Sequence, residues 1–367
     1  MDTVKKQFTK VQNGEWDERL TKIYGATALE KERYRYTWAL ERYAKTYGWG
    51  RKIRMFSIPA CVCIGKAEKN VFSAVTSDML VIVSDNGTNI FRIRSHGYSG
   101  EENTDYYHPG PYREECGTMA ALVRGLITAF KVYGYEVYGV DAYAFTEVFP
   151  EMEMFSYEVF LATLATVYNF IFNEGKIPPM HLAEVVKWVG KNYFQKELDE
   201  EVYLAALLGG TIISEVAGTE KEYAILQEIL PYTIYKVSSQ SFSTEKELKD
   251  NCKISDIDSA LQSVSDATKI AWYKEASLAK NELSEAVFKE LDEPACPDII
   301  DTPVGGASVW RMRQNIFSYT KLFFVPLSEE EKLEATLTNE KLIAEKIAPR
   351  KYGAVELSDS VSEMNQN

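Results

Sequence analysis

A strand that feeds a long apolar helix through a connection with no glycine constrains this chain more than any other feature. Residues 134–176 read GYEVYGVDAYAFTEVFPEMEMFSYEVFLATLATVYNFIFNEGK, and the connection is PEMEMFSY. The alternation before it fits a strand and the apolar run after it fits a buried helix. A backbone cradle for an anion needs glycine for close approach and free N–H groups at a helix N-terminus. This connection lacks that glycine, and Glu151 and Glu153 add charge of the wrong sign. Such a unit can build an α/β core but is not made to wrap a phosphate.

The chain has 367 residues, enough for one large core or, preferably, two domains. No apolar run reaches membrane-span length; the strongest, VFLATLATVYNFIFN at 159–173, reads as a core helix. The N-terminal stretch has no apolar segment of the secretory kind, so a cytoplasmic location with no membrane partner is expected. A net charge of −13 argues against nucleic acid as a partner, because binding phosphates along a strand needs a basic face. It leaves room for a nucleotide in a small basic pocket.

The five cysteines at 61, 63, 116, 252 and 296 are an odd, irregular set and read as reduced thiols. Strand alternation would point Cys61 and Cys63 to one face. One reading makes them a metal or redox site with Cys116 or one of His96, His108 and His181. The other makes them buried core, and the lack of a second C-x-x-C or H-x-x-H pair favours it. No G-x-S-x-G elbow supports a hydrolase.

In chain order, residues 1–48 read as helices closed by Gly48. Strands follow at 53–65, 70–85 and 89–98, with Asn86-Gly87 a hairpin signal between the last two. Residues 99–115 read as a polar surface loop, 116–134 as an amphipathic helix, 137–147 as a strand, and 156–173 and 178–194 as helices. Gly209-Gly210, after the helical run from Glu200, reads as a domain boundary. Residues 244–291 look helical and charged, and 293–298 read as a linker. The stretch 308–326 is strand–helix–strand or an irregular strand pair, and 328–347 an exposed helix with a serine cap. The glutamates at 101–102, 114–115 and 200–201 read as solvated faces.

This order of elements resembles galactokinase and the GHMP family of small-molecule kinases, over roughly 20–215 and again 305–355. IYGATALEKERYRYTWALERYAKTYG, RIRSHGY and CGTMAALVRGLITAFKVYGYEVYGVDAY carry the likeness, with LATVYNFIFNEGKIPP and AEVVKWVGKNYFQK continuing it. The resemblance implies an α+β, two-domain GHMP-kinase-like fold. An N-terminal domain (1–210) would hold a mixed sheet with packed helices. A shortened, ferredoxin-like α+β domain (211–355) and a disordered tail (356–367) would follow.

The motifs that carry chemistry in that family are changed. Its first motif places an arginine that supports phosphoryl transfer where this chain has Cys61, within FSIPACVCIG. The sugar-binding run becomes Lys66-Ala67-Glu68-Lys69-Asn70. The Gly/Ser phosphate loop, including its magnesium-holding serine, becomes PEMEMFSY. The catalytic aspartate, counted back from Gly209-Gly210, becomes Val202, with Tyr203 after it. The third, glycine-rich motif becomes Gln314-Asn315-Ile316-Phe317-Ser318-Tyr319. Glu102-Asn103-Thr104-Asp105-Tyr106 mimics the sugar motif out of place and reads as turn-rich loop.

The expectation is a catalytically inactive galactokinase-like protein with a binding, scaffold or regulatory role. It would have no catalytic, cofactor or metal residues and would act on a partner protein or a small molecule. The alternative is a sugar kinase with a rebuilt site, using ATP and Mg²⁺ and gathering Lys66, Lys69, Arg311 and Arg313 around the old cleft. Phe149, Met152, Met154, Phe155 and Tyr157 read as core packing that plugs the old nucleotide site, or else as the lining of a changed ligand or partner groove.

Overall fold

Apolar spacing at three and four residues sets the helices, and alternation sets the strands. The computed structural model describes residues 1–66, 69–96, 101–147, 155–195, 198–217, 220–226, 232–238, 310–315, 318–326, 331 and 343–358. A short strand β1 (Asp2–Thr3) leads into helices α1 (Val4–Gln12), α2 (Asp17–Tyr24) and α3 (Leu29–Tyr47). Thr3 caps α1 by accepting from the Lys6 N–H, and Gly48, at φ +100°, ends α3. Strands β2 (Lys52–Lys66), β3 (Lys69–Asp85), β4 (Ile90–Ser95) and β5 (Glu102–Asp105) precede α4 (Met119–Val132) and β6 (Val140–Thr146). Helices α5 (Ser156–Phe172), α6 (Pro179–Val189) and α7 (Glu200–Leu208) follow, then strands β7 (Thr211–Ala217) and β8 (Glu220–Leu226).

These strands and β13 (Val355–Glu356) form one mixed sheet, with the path β1-β2-β3-β6-β4-β5. β7 joins it on β3, β8 on β7, and β13 on β2. The strands expected at 53–65, 70–85, 89–98 and 137–147 therefore share one sheet, and α4 and α5 pack on it.

The Asn86-Gly87 turn exists but closes no hairpin. β6 runs between β3 and β4, antiparallel to the first and parallel to the second. Gly139 admits it: a Cβ there would lie 2.5 Å from the Ile90 carbonyl oxygen. The Asn86 amide donates to Ile90 O at 3.0 Å and Asp141 Oδ1 at 2.9 Å, tying the turn to the intruding strand. The loop expected at 99–115 also contains a strand. Glu102–Asp105 is an edge strand on β4, hidden in the sequence because only Thr104 of its four residues is buried.

Each face of the sheet has its own core. Phe56, Ile58, Val81, Val83, Phe91, Val140 and Ala142 face α4–α7, while Ile53, Met55, Leu80, Ile82 and Tyr143 face α1–α3. A register shift between Pro59 and Cys61 changes the parity of β2, so Cys61 joins Phe56 and Ile58 on the α4–α7 side.

Residues beyond Gly210 contribute to this sheet. Gly209 joins α7 to β7 at φ +75°, a conformation that favours glycine. The chain returns at 348–358. Leu357 is fully buried and its N–H donates to Met55 O at 2.7 Å. Glu356 pairs with Phe56 in β13. Residues 356–358, expected in a disordered tail, thus belong to the fold; 359–367 lie outside the described residues.

A second, four-stranded antiparallel sheet has the order β10 (Trp310–Asn315), β11 (Ser318–Pro326), β9 (Tyr232–Ser238), β12 (Ile343–Ile347). That is the strand order of a β-α-β-β-α-β unit. Its connections at 239–309 and 327–342 fall outside the described residues, apart from the helical Glu331. The stretch 308–326 is a strand pair. The helix expected over 328–347 does not extend to its end, because Ile343–Ile347 pairs with β9 and Ile347 is fully buried. Alternating Ile-Ala-Glu-Lys-Ile serves a strand as well as a helix.

Candidate functional site

Two positions that the sequence places 141 residues apart meet in the α4–α7 core. The Cys61 thiol lies 3.5 Å from the Val202 carbonyl oxygen and donates to it. Both side chains have no solvent exposure. The β2 register shift turns Cys61 toward α7, and the first turns of α7 present Val202 to it. Burial, reinforced by Glu158, pushes the Cys61 thiol well above its ordinary range, with Arg350 opposing. The thiol therefore stays neutral, neither a nucleophile nor a fixed charge.

The entry to α5 borders this contact. Phe155 occupies its N-cap with φ 56° and ψ 49°, left-handed geometry unusual for a bulky residue. Its ring meets Phe72 edge-on at 5.3 Å, and Tyr157 meets Phe194 at 4.9 Å. Both residues are half-buried against the core. Phe149, Glu151, Met152, Glu153 and Met154 lie outside the described residues. So do the side chains of Cys63, Lys66, Lys69, Arg311 and Arg313.

Glu201, read from sequence as a solvated face, is fully buried beside Val202. Its Oε1 accepts from Asn70 Nδ2 at 3.1 Å, Lys221 Nζ at 2.8 Å and the Ser214 hydroxyl. Although burial opposes ionisation, bonds from Lys221 and Ser214 hold the carboxyl below its usual range. Glu101 and Glu115 are also engaged, with Arg94 and Arg124 respectively. No signal in the local sequence separates these glutamates from solvated ones, since their partners come from other elements.

A second polar cluster lies under α2 and α3. Asp78, with no exposure, forms an ion pair with Arg35 Nη1 at 2.8 Å, and its other oxygen accepts from Arg350 Nη1 at 3.3 Å and from the Tyr24 and Ser57 hydroxyls. Arg35 also pairs with Glu32 at 2.8 Å and Glu147 at 3.2 Å. Burial is the main force raising Glu32, to about 7, with Arg35 opposing and Asp78 and Glu147 reinforcing. Among the described residues no group of three or more His, Cys, Asp or Glu side chains is arranged to hold a metal ion. Among the described residues no helix is long and apolar enough to cross a membrane.

The architecture has close structural counterparts despite low identity. Galactokinase from Lactococcus lactis, complexed with galactose, superposes with a TM-score of 0.59 at 13% identity, covering 86% of this chain and 98% of its own. The fold is that of the GHMP kinases. The Methanococcus jannaschii mevalonate kinase matches at 0.53 and 10% identity, covering 82% of this chain and 98% of its own. Homoserine kinase from Cytophaga hutchinsonii matches at 0.56 and 10%, with 83% and 98% covered. No protein-family model and no curated protein matches the sequence. Within this GHMP fold, Cys61 and Val202 are the positions at which the sequence resemblance puts the arginine and the catalytic aspartate.

Proposed function

We propose that the chain is a catalytically inactive galactokinase-like protein, a cytoplasmic pseudokinase that works by binding rather than by phosphoryl transfer. One observation carries this reading: a neutral, buried thiol packed against the Val202 backbone. Phosphoryl transfer rests on positioning and on stabilising charge at the transferring group. Loss of a single such cation slows it by on the order of 10³ or more. Cys61 supplies no fixed positive charge, and the Val202 side chain accepts no proton.

The reading assigns the protein no ATP or Mg²⁺ cofactor and gives it a protein partner or a small molecule as its target. Half-buried Phe155 and Tyr157 support it from the neighbouring helix entry, where apolar rings pack against the core. The test is incubation of purified protein with ATP, Mg²⁺ and galactose, where no transfer above background is expected.

A further inference from the structure

On a chain of net charge −13, four guanidiniums gather at one end of the α3 side of the sheet, apart from the buried Arg35 cluster. Arg42 lies on α3, Arg51 just before β2, and Arg92 and Arg94 on β4. Strand alternation sends Phe91 and Ile93 into the opposite core and leaves both β4 arginines on this side. Two carboxylates are bonded to them. Buried Asp141 accepts from Arg51 Nη2 and Arg92 Nε, each at 2.6 Å. Glu101 accepts from Arg94 Nε and from the Tyr47 hydroxyl, each at 3.1 Å.

Each of these three arginines thus turns one nitrogen inward and keeps further donors of its planar fork for other partners. Their side chains are 37–48% exposed. Among the described residues no carboxylate pairs with Arg42, whose guanidinium sits 4.5 Å above the Trp38 ring. Glu41 and Lys45, near it on α3, cancel in the local charge sum, and exposed Glu30, one turn before Tyr34 on α3, reduces that sum without reversing its sign.

Aromatic residues run through the same surface. Tyr34, Trp38 and Arg42 follow one another at four-residue spacing and so lie along one stripe of α3. Tyr34 is 72% exposed. Trp38 links the stripe to the end of β4, meeting His96 at 4.6 Å and Phe145 at 5.3 Å. A single exposed aromatic residue would mean nothing. Here Tyr, Trp and Arg coincide, the types enriched at the energetic centres of protein interfaces, and the local charge opposes that of the chain.

We propose that the Tyr34–Trp38–Arg42 stripe of α3 and Arg94 of β4 form a docking surface for an acidic segment of a partner protein. Guanidinium forks match carboxylates in two-pronged geometry. Their spread selects a segment over a lone anion. Arg92 and Arg94 are spaced about 7 Å along the strand, and Arg42 stands on the helix layer beyond Trp38. The surface lies across the sheet from Cys61 and Val202, so it stands or falls apart from the loss of catalysis.

The test uses the full-length protein and a fluorescein-labelled octaglutamate peptide as the acidic probe, read by fluorescence anisotropy. Saturable binding is expected at about 50 mM NaCl, weakened at about 500 mM by screening. Arg42→Ala/Arg94→Ala should weaken it roughly tenfold or more. Tyr34→Ala, at the most exposed position, should weaken it severalfold with an unchanged melting midpoint. No saturable binding by the wild type, or equal binding by both variants, overturns the proposal. Displacement of the peptide by inorganic pyrophosphate at concentrations no higher than unlabelled octaglutamate requires would also overturn it, in favour of a small-anion site.

Discussion

Replacing Asp78 with alanine should unbalance the charge cluster beneath α2 and α3, chiefly at Arg350. That guanidinium has no exposure, and Asp78 is the carboxylate bonded to it; its other bonds go to Ser57 Oγ and to the carbonyls of Ser57, Tyr352 and Gly353. Arg35 would keep Glu32 and Glu147. Asp78→Ala therefore strands one buried cation, a change that costs about 3–5 kcal/mol. Arg350→Met alone should also destabilise, because Asp78 loses a partner.

Asp78→Ala/Arg350→Met removes both charges and should cost at least 1 kcal/mol less than the sum of the single changes, roughly the coupling of a contacting pair. Urea unfolding of the four proteins at one pH measures this. Asp78→Ala within about 1 kcal/mol of wild type, or strict additivity of the pair, would refute the reasoning.

Glu32 gives a pH dependence of definite sign. Its folded value, raised to about 7, lies above the ordinary 4.5, so the folded state holds this proton more tightly than the unfolded chain does. Its contribution to stability is fully present below about pH 4.5, falls as pH rises through the interval, and is lost above about pH 7, a change of about 3 kcal/mol. Glu32→Gln should flatten that slope in urea midpoints taken between pH 5 and 8, and an unchanged slope would count against this origin. Phe155→Ala should destabilise by about 2 kcal/mol, since the half-buried ring packs on Phe72. A neutral result by thermal or urea unfolding would instead mark an open groove at the entry to α5.

Local pattern made the elements legible where it was unambiguous. Alternation in β2, β3 and β6 and the apolar length of α5 placed strands and helix within a few residues. What failed depended on partners distant in sequence. Asn86-Gly87 signals a turn, but only the approach of β6 beside Gly139 decides that the two strands stay apart. Five residues at 343–347 fit either period, and pairing with β9 chooses the strand. Glu201 looks solvated until Asn70, Ser214 and Lys221 converge on it. Asp78 and Arg350, 272 residues apart, carry no shared signal at all. The Cys61–Val202 contact joins two positions that the family resemblance places in one site, although neither residue type carries a local signal of that pairing.

Phosphoryl transfer tests the central claim most directly. Purified protein with ATP, Mg²⁺ and galactose, followed by galactose phosphate formation over time, should show nothing above a protein-free control. Cys61→Ala should change nothing, because the thiol holds no role in transfer. Stoichiometric, repeated turnover by the wild type that Cys61→Ala or a substitution at Lys66 or Lys69 abolishes would contradict the account and establish a rebuilt kinase site.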